Sequence, residues 1–210
     1  MGSVKVALPC IISLAGVLLF ALFAHSTGWS WLLAIIALII VSVTIAASFK
    51  KIGLRETIGT SYLSAKTLIY SAVGICVGIT ASVGFLCGAM ETSFFKGITS
   101  FACVAGLIGL SEEFLFRGFI QGRLRKLSRY GSLLIAVLGH TVYKCLLFHS
   151  QLQTAQMDPL LFISWTIAGS TVCGFLREGA GNIVPPVLAH SIFDVAVYGG
   201  NIEAPWWVWG

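Results

Sequence analysis

Charge is scarce in this chain. Of its 210 residues 10% are charged, and the acids are only eight: Glu56, Glu91, Glu112, Glu113, Asp158, Glu178, Asp194 and Glu203. A soluble domain carries about 25% charged residues. The shortfall rules out a disordered chain and argues against an ordinary soluble domain. Paired cysteines are lacking too. Cys10, Cys76, Cys87, Cys103, Cys145 and Cys173 stand singly in apolar stretches without a CxxC. That argues against a zinc–thiolate site or a disulfide framework and reads them as small buried hydrophobes. No internal repeat and no Pro- or Ser-rich linker divides the sequence, so one membrane domain over 1–210 is expected. There is no HExxH, the helical signature of zinc peptidases.

What is present is apolar: 57% of the residues are hydrophobic. A helix needs about 20 such residues to cross the hydrocarbon core. Seven segments qualify: Leu8–Ala24, Trp29–Phe49, Leu68–Met90, Gly97–Gln121, Ser132–His149, Pro159–Leu176 and Ile183–Gly199. The expected fold is all-α, a polytopic integral membrane bundle of about seven transmembrane helices, possibly eight helices. No small-x-small cleavage pattern follows the first segment, so it reads as a retained helix rather than a signal peptide. In the third, Gly74, Gly78, Gly84 and Gly88 form two small-xxx-small pairs that let helix backbones approach.

The net charge of +5 does not imply a nucleic-acid partner, because the basic residues lie in short runs between apolar segments. They report topology instead. Lys50, Lys51, Arg55 and Lys66 follow the second segment, and Arg123, Arg125, Lys126 and Arg129 follow the fourth. Two crossings separate these runs, so they share a face with Lys5 and Arg177. That face is expected to be cytoplasmic, with the N-terminus inside and the C-terminus outside. Trp29, Trp31, Trp206, Trp207 and Trp209 then gather at the outer interface. The expected setting is the plasma membrane of a prokaryote, with lipid as a partner.

Three acids fall inside apolar segments, where a carboxylate costs about 2.5–3.5 kcal/mol on insertion scales. Glu113 and Arg117 are four apart, share a helix face and can pair. Glu112 lies about 100° around the helix with no local partner, in the setting of a general base or acid. The fifth segment carries His140, Tyr143 and Lys144 on one stripe, and His149 near its end. Lys144 is expected to snorkel or to pair with a carboxylate. In the seventh, His190 and Asp194 are four apart behind Asn182, Pro185 and Pro186, which suit a helix start. Depth separates the histidines. Counted from the basic loops, Glu112 and His140 lie about 16 Å into the membrane. His190 comes to a similar level. His149 lies about 30 Å from Arg129, near the far surface. Ser111 and Cys145 are close in sequence, but neither pairs with a base.

Glu112-Glu113-Phe-Leu-Phe-Arg117-Gly on one membrane helix, a histidine on the next, and His190-Ser-Ile-Phe-Asp194 on a later one resemble the type II CAAX prenyl endopeptidase family. This is also called the CAAX protease and bacteriocin-processing (CPBP, or Abi) family. The resemblance covers about residues 97–199, the expected catalytic core. It implies an intramembrane, glutamate-dependent endopeptidase acting on a membrane-associated peptide or lipidated protein near its end. Glu112, with a histidine, would activate water, and His190 and Asp194 would stabilise the oxyanion. Glu113 and Arg117 would hold the helix geometry. The family's middle motif has Phe four residues before its histidine; here Ala136 precedes His140 and Cys145 precedes His149. The motif therefore leaves both open, and face and depth favour His140, with His149 as the alternative. Asp194 stands where the prenyl-protein proteases more often have Asn, so it must be protonated or act through His190. No cofactor is implied, though Glu and His at one depth also make zinc possible. The other readings are a zinc-dependent membrane metallopeptidase, a proton-coupled transporter using the same Glu, His and Asp, and a non-catalytic scaffold. Oligomeric state is not legible.

Overall fold

The computed structural model describes residues 3–26, 28–52, 57–59, 64–88, 99–152 and 158–199. Glu56, Glu91, Glu203, Arg55, Met90, Gly97, Trp206, Trp207 and Trp209 lie outside the described residues, as do the side chains of Lys50 and Lys51. The described chain is helical. Its elements are α1 (Ser3–Phe23), α2 (Trp31–Ile52), α3 (Ala65–Gly88), α4 (Ser100–Glu113), α5 (Arg129–Leu152), α6 (Pro159–Ala180) and α7 (Val184–Tyr198). A short 3-10 turn, Gly28–Ser30, precedes α2. α4 runs on without a break into a π-helix, Phe114–Gln121, and a last turn, Gly122–Leu124. Among the described residues there is no strand, only a single bridge pairing Gly59 with Asn182.

The helices overlap the seven apolar segments. Five of them (α1, α2, α3, α5 and α6) are long and apolar enough to cross a membrane. The other two differ from uniform spans. The fourth segment changes helix type halfway, and α7 has 15 residues, about 22 Å against a hydrocarbon core of about 30 Å.

The ends of the helices follow local chemistry. Thr99 caps α4 by accepting from Ala102 N at 3.0 Å, and Asp158 caps α6 by accepting from Leu160 N at 2.8 Å. Pro159 supplies the first residue of α6, where its missing N–H costs nothing. Gly181, at φ 76°, ends α6 in the left-handed region that glycine enters without strain. Asn182 Oδ1 then accepts from Val184 N at 3.0 Å and starts α7, with Pro185 and Pro186 in the first turn.

Burial is the reverse of a soluble core. The buried set includes Glu112, Glu113, Arg117, Gln121, Arg123, His140, Arg177 and Asp194, while Ile36, Ile39, Leu107, Leu134 and Leu160 are exposed. Lipid accepts the second group and rejects the first. α7 packs against α3, α4 and α6, and α1 against α2 and α5. The glycines of α3 account for part of this closeness. A Cβ at Gly74 would lie 2.5 Å from the Pro185 carbonyl oxygen, and one at Gly78 would lie 2.6 Å from that of Ala189.

A proline explains how α1 docks. Pro9 lies inside α1 and has no N–H, so the Lys5 carbonyl loses its helical donor. Arg123 replaces it, donating from Nη2 to Lys5 O at 2.9 Å and from Nε to Val6 O at 2.8 Å. An arginine expected to mark a loop is thus buried and ties the end of the π-helix to α1. Replacing Arg123 with Ala is expected to cost about 1–3 kcal/mol through the unpaired Lys5 carbonyl. The cost should shrink in Pro9→Ala, whose N–H can reach Lys5 O. A double-mutant cycle of unfolding in detergent measures the coupling; strictly additive losses would overturn this account.

Candidate active site

The site forms where α4 passes into the π-helix. Glu113 and Arg117 are both 0% exposed, and Arg117 Nη1 donates to Glu113 Oε1 at 2.9 Å. This is the i, i+4 pair expected from the spacing. Arg117 also reaches two other helices. Its Nη1 lies 3.2 Å from His140 Nδ1 on α5, and its Nη2 donates to Ser170 O at 2.9 Å and to Ser170 Oγ at 2.5 Å on α6.

Those contacts decide the histidine tautomers. A guanidinium only donates, so His140 Nδ1 must accept and the ring proton sits on Nε2. His140 Nε2 then donates to Glu112 Oε2 at 2.9 Å. The other oxygen of Glu112 meets Lys144 Nζ at 2.5 Å, one turn along α5. On α7, His190 Nδ1 donates to Glu113 Oε1 at 2.9 Å. Its Nε2 faces two carboxylates across wider gaps, Glu112 Oε2 at 3.8 Å and Asp194 Oδ2 at 3.6 Å. Both gaps exceed hydrogen-bond length, so neither carboxylate binds Nε2 directly. A Cβ at Gly109 would lie 2.6 Å from Asp194 Oδ2, so the bare backbone of α4 makes room for that carboxylate.

Glu112, Glu113, Arg117, His140, His190 and Asp194 therefore lie in one cluster. His149 does not join it: it is exposed, nine residues further along α5. The deep groups are Glu113 and Arg117, while Lys144 and His190 keep 14% and 13% of their side-chain surface and form the open side. Among the described residues no group of three or more His, Cys, Asp or Glu side chains is placed to hold a metal ion.

Residues 79–196 match the family described as Type II CAAX prenyl endopeptidase Rce1-like, a stretch that includes every residue of the cluster. The chain belongs to this family. No curated protein and no solved structure matches it. As an Rce1-like CAAX endopeptidase it is a membrane protease, and its apolar helices make it an integral membrane protein.

Several members of this Rce1-like site leave little trace in sequence. Ser170 is one serine in an apolar helix, and half of its contribution is a main-chain carbonyl. Arg177, which marks topology in the sequence, donates from Nε to the Arg117 carbonyl at 2.9 Å. Glu178 is a fourth acid within the helices. It is buried in the last turn of α6, where its Oε1 accepts from Gln121 Nε2 at 3.2 Å. Its Oε2 accepts from Arg125 Nε at 2.9 Å and Arg129 Nε at 3.0 Å. Glutamate four residues after a buried glycine carries no signal of this kind.

Removing one partner of a buried ion pair leaves an uncompensated charge. Arg117→Met is therefore expected to destabilise the protein by about 3–5 kcal/mol. The double variant Glu113→Gln/Arg117→Met should regain part of that loss. Unfolding in detergent, followed by circular dichroism, reads both, and a single variant as stable as the wild type would contradict the pairing.

Proposed function

We propose that this chain is an intramembrane, glutamate-dependent endopeptidase that cleaves a membrane-associated peptide or lipidated protein near its end. One observation carries the reading: Glu112, His140, His190 and Asp194 converge from three helices inside a chain of CAAX-protease type. Hydrolysis of a peptide bond needs a base for water, a stabiliser for the oxyanion and a proton for the leaving amine. Glu112 is the base. His140, held by Arg117, orients the carboxylate through Nε2–H. Water bound beside Glu112 and His190 loses a proton to Glu112, and its oxygen adds to the carbonyl carbon. His190 Nε2, sharing a proton with Asp194, donates to the oxyanion. Collapse of the tetrahedral intermediate breaks the C–N bond, and the proton held by Glu112 passes to the leaving amine. Glu113 and Arg117 hold two histidines in place and are positioning residues.

The topology we propose has seven spans, the N-terminus in the cytoplasm and the site toward the cytoplasmic side of a prokaryotic plasma membrane. The basic run Arg123, Arg125, Lys126 and Arg129 directly after the π-helix supports that orientation. Metal-independent chemistry is supported by the charges already present. Lys144 and Arg117 sit on the two glutamates, where a divalent cation would meet two like charges.

Glu112→Gln and His190→Ala are each expected to lower cleavage of a prenylated CAAX peptide by at least about 100-fold without unfolding the protein. A panel of other membrane peptides, assayed alongside, sets substrate class. Full cleavage by either variant would show that this is the wrong site. Exhaustive chelation should leave the wild-type rate unchanged; loss of activity that zinc restores would favour a metallopeptidase.

A further inference from the structure

A groove runs along the outside of the bundle between α3 and α6, away from the candidate active site. It encloses about 330 Å³. Val73 and Val77 of α3 and Val172 and Phe175 of α6 form its apolar walls, and Arg129 and Glu178 close one end. The α6 residues of the groove lie on a different face from Ser170, which turns inward to Arg117. The slot therefore faces the hydrocarbon and ends at charge.

The charge at that end is not balanced. Arg125, Arg129 and Arg177 all converge on the single carboxylate of Glu178. An excess of two positive charges remains. Arg177 is spent inward, its Nε on the Arg117 carbonyl. Arg125 and Arg129 bind Glu178 through Nε at 2.9 and 3.0 Å, and their side chains stay 44% and 57% exposed. Glu178 thus anchors two part-exposed guanidiniums, Arg129 in the lining of the slot and Arg125 beside it on the same carboxylate oxygen. Guanidiniums are the cations best suited to phosphate oxygens, and basic pockets between membrane helices suit anionic head groups.

We propose that this groove binds one anionic phospholipid of the leaflet on the basic side, its phosphate on Arg125 and Arg129 and an acyl chain between α3 and α6. The site is independent of the hydrolytic reading, because it shares no residue with the proposed catalytic cluster.

Native mass spectrometry of the full chain in detergent, loaded with phosphatidylglycerol or phosphatidylcholine of the same chains, tests it. Phosphatidylglycerol should be retained about tenfold or more over phosphatidylcholine, as two surface cations imply. Arg125→Gln/Arg129→Gln should abolish the preference. Val172→Trp fills the slot and leaves the arginines intact, so it should lose the lipid even if the double variant does not fold. Glycerol 3-phosphate, which has the head but no chain, should not compete. Equal retention of the two lipids would overturn the proposal. So would unchanged phosphatidylglycerol binding in either variant, or its displacement by glycerol 3-phosphate. Displacement by farnesylcysteine methyl ester would also overturn it, assigning the groove to a prenylated substrate instead.

Discussion

The bundle depends on how one buried guanidinium is satisfied. Arg117 has no exposed side-chain surface and touches α4, α5 and α6 at once through Glu113, His140 and Ser170. In lipid an uncompensated cation at this depth is costly, so these partners are conditions for folding rather than refinements. The same contacts have a chemical consequence. Because Arg117 can only donate, His140 must carry its proton on Nε2 and present it to Glu112. Because the Glu113 carboxylate only accepts, His190 Nδ1 carries the proton it gives to Oε1, and Nε2 faces Glu112 and Asp194. A structural ion pair thus sets the orientation of two imidazoles, and with them the direction in which a proton can move.

Much of this is legible in sequence, and the limit is physical. Pairs within one helix follow from its period, so Glu113–Arg117 and the stripe of His140, Tyr143 and Lys144 are visible at once. Depth, at a fixed rise per residue, separates His140 from His149 without any knowledge of packing. Contacts between helices need the rotation of each helix, which periodicity alone does not supply. For Lys144 the sequence allows the lipid interface or a carboxylate, and the rotation of α5 brings it to Glu112. Main-chain acceptors are worse still. Nothing in the letters says that Ser170 offers a carbonyl to Arg117, or that Pro9 frees a carbonyl that Arg123 will occupy. The π-helix is also silent, since Phe114–Gln121 is ordinary in composition. Its position beside the site is in keeping with where such segments tend to occur.

The two charged clusters are parts of one electrostatic arrangement. Around the candidate site stand three carboxylates, Glu112, Glu113 and Asp194, and two basic side chains, Arg117 and Lys144. With His140 neutral, that set is one positive charge short. In the mechanism we propose, a proton shared among His190, Asp194 and Glu112 makes up the difference, the kind of mobile proton that general acid–base hydrolysis consumes and returns. At the end of α6 the imbalance has the opposite sign, three arginines around Glu178. The link between them is short and covalent in part: Arg177 belongs to the positive cluster and donates to the carbonyl of Arg117, whose side chain anchors the negative one. A buried site short of positive charge is thus held by a main-chain contact to a region with an excess of it. The π-helix is shared between them, with Arg117 near its middle and Gln121, which donates to Glu178, at its end. Any substitution that resets the register of that segment should disturb both clusters together, because α5 and α6, which also carry residues of each, meet the site through Arg117.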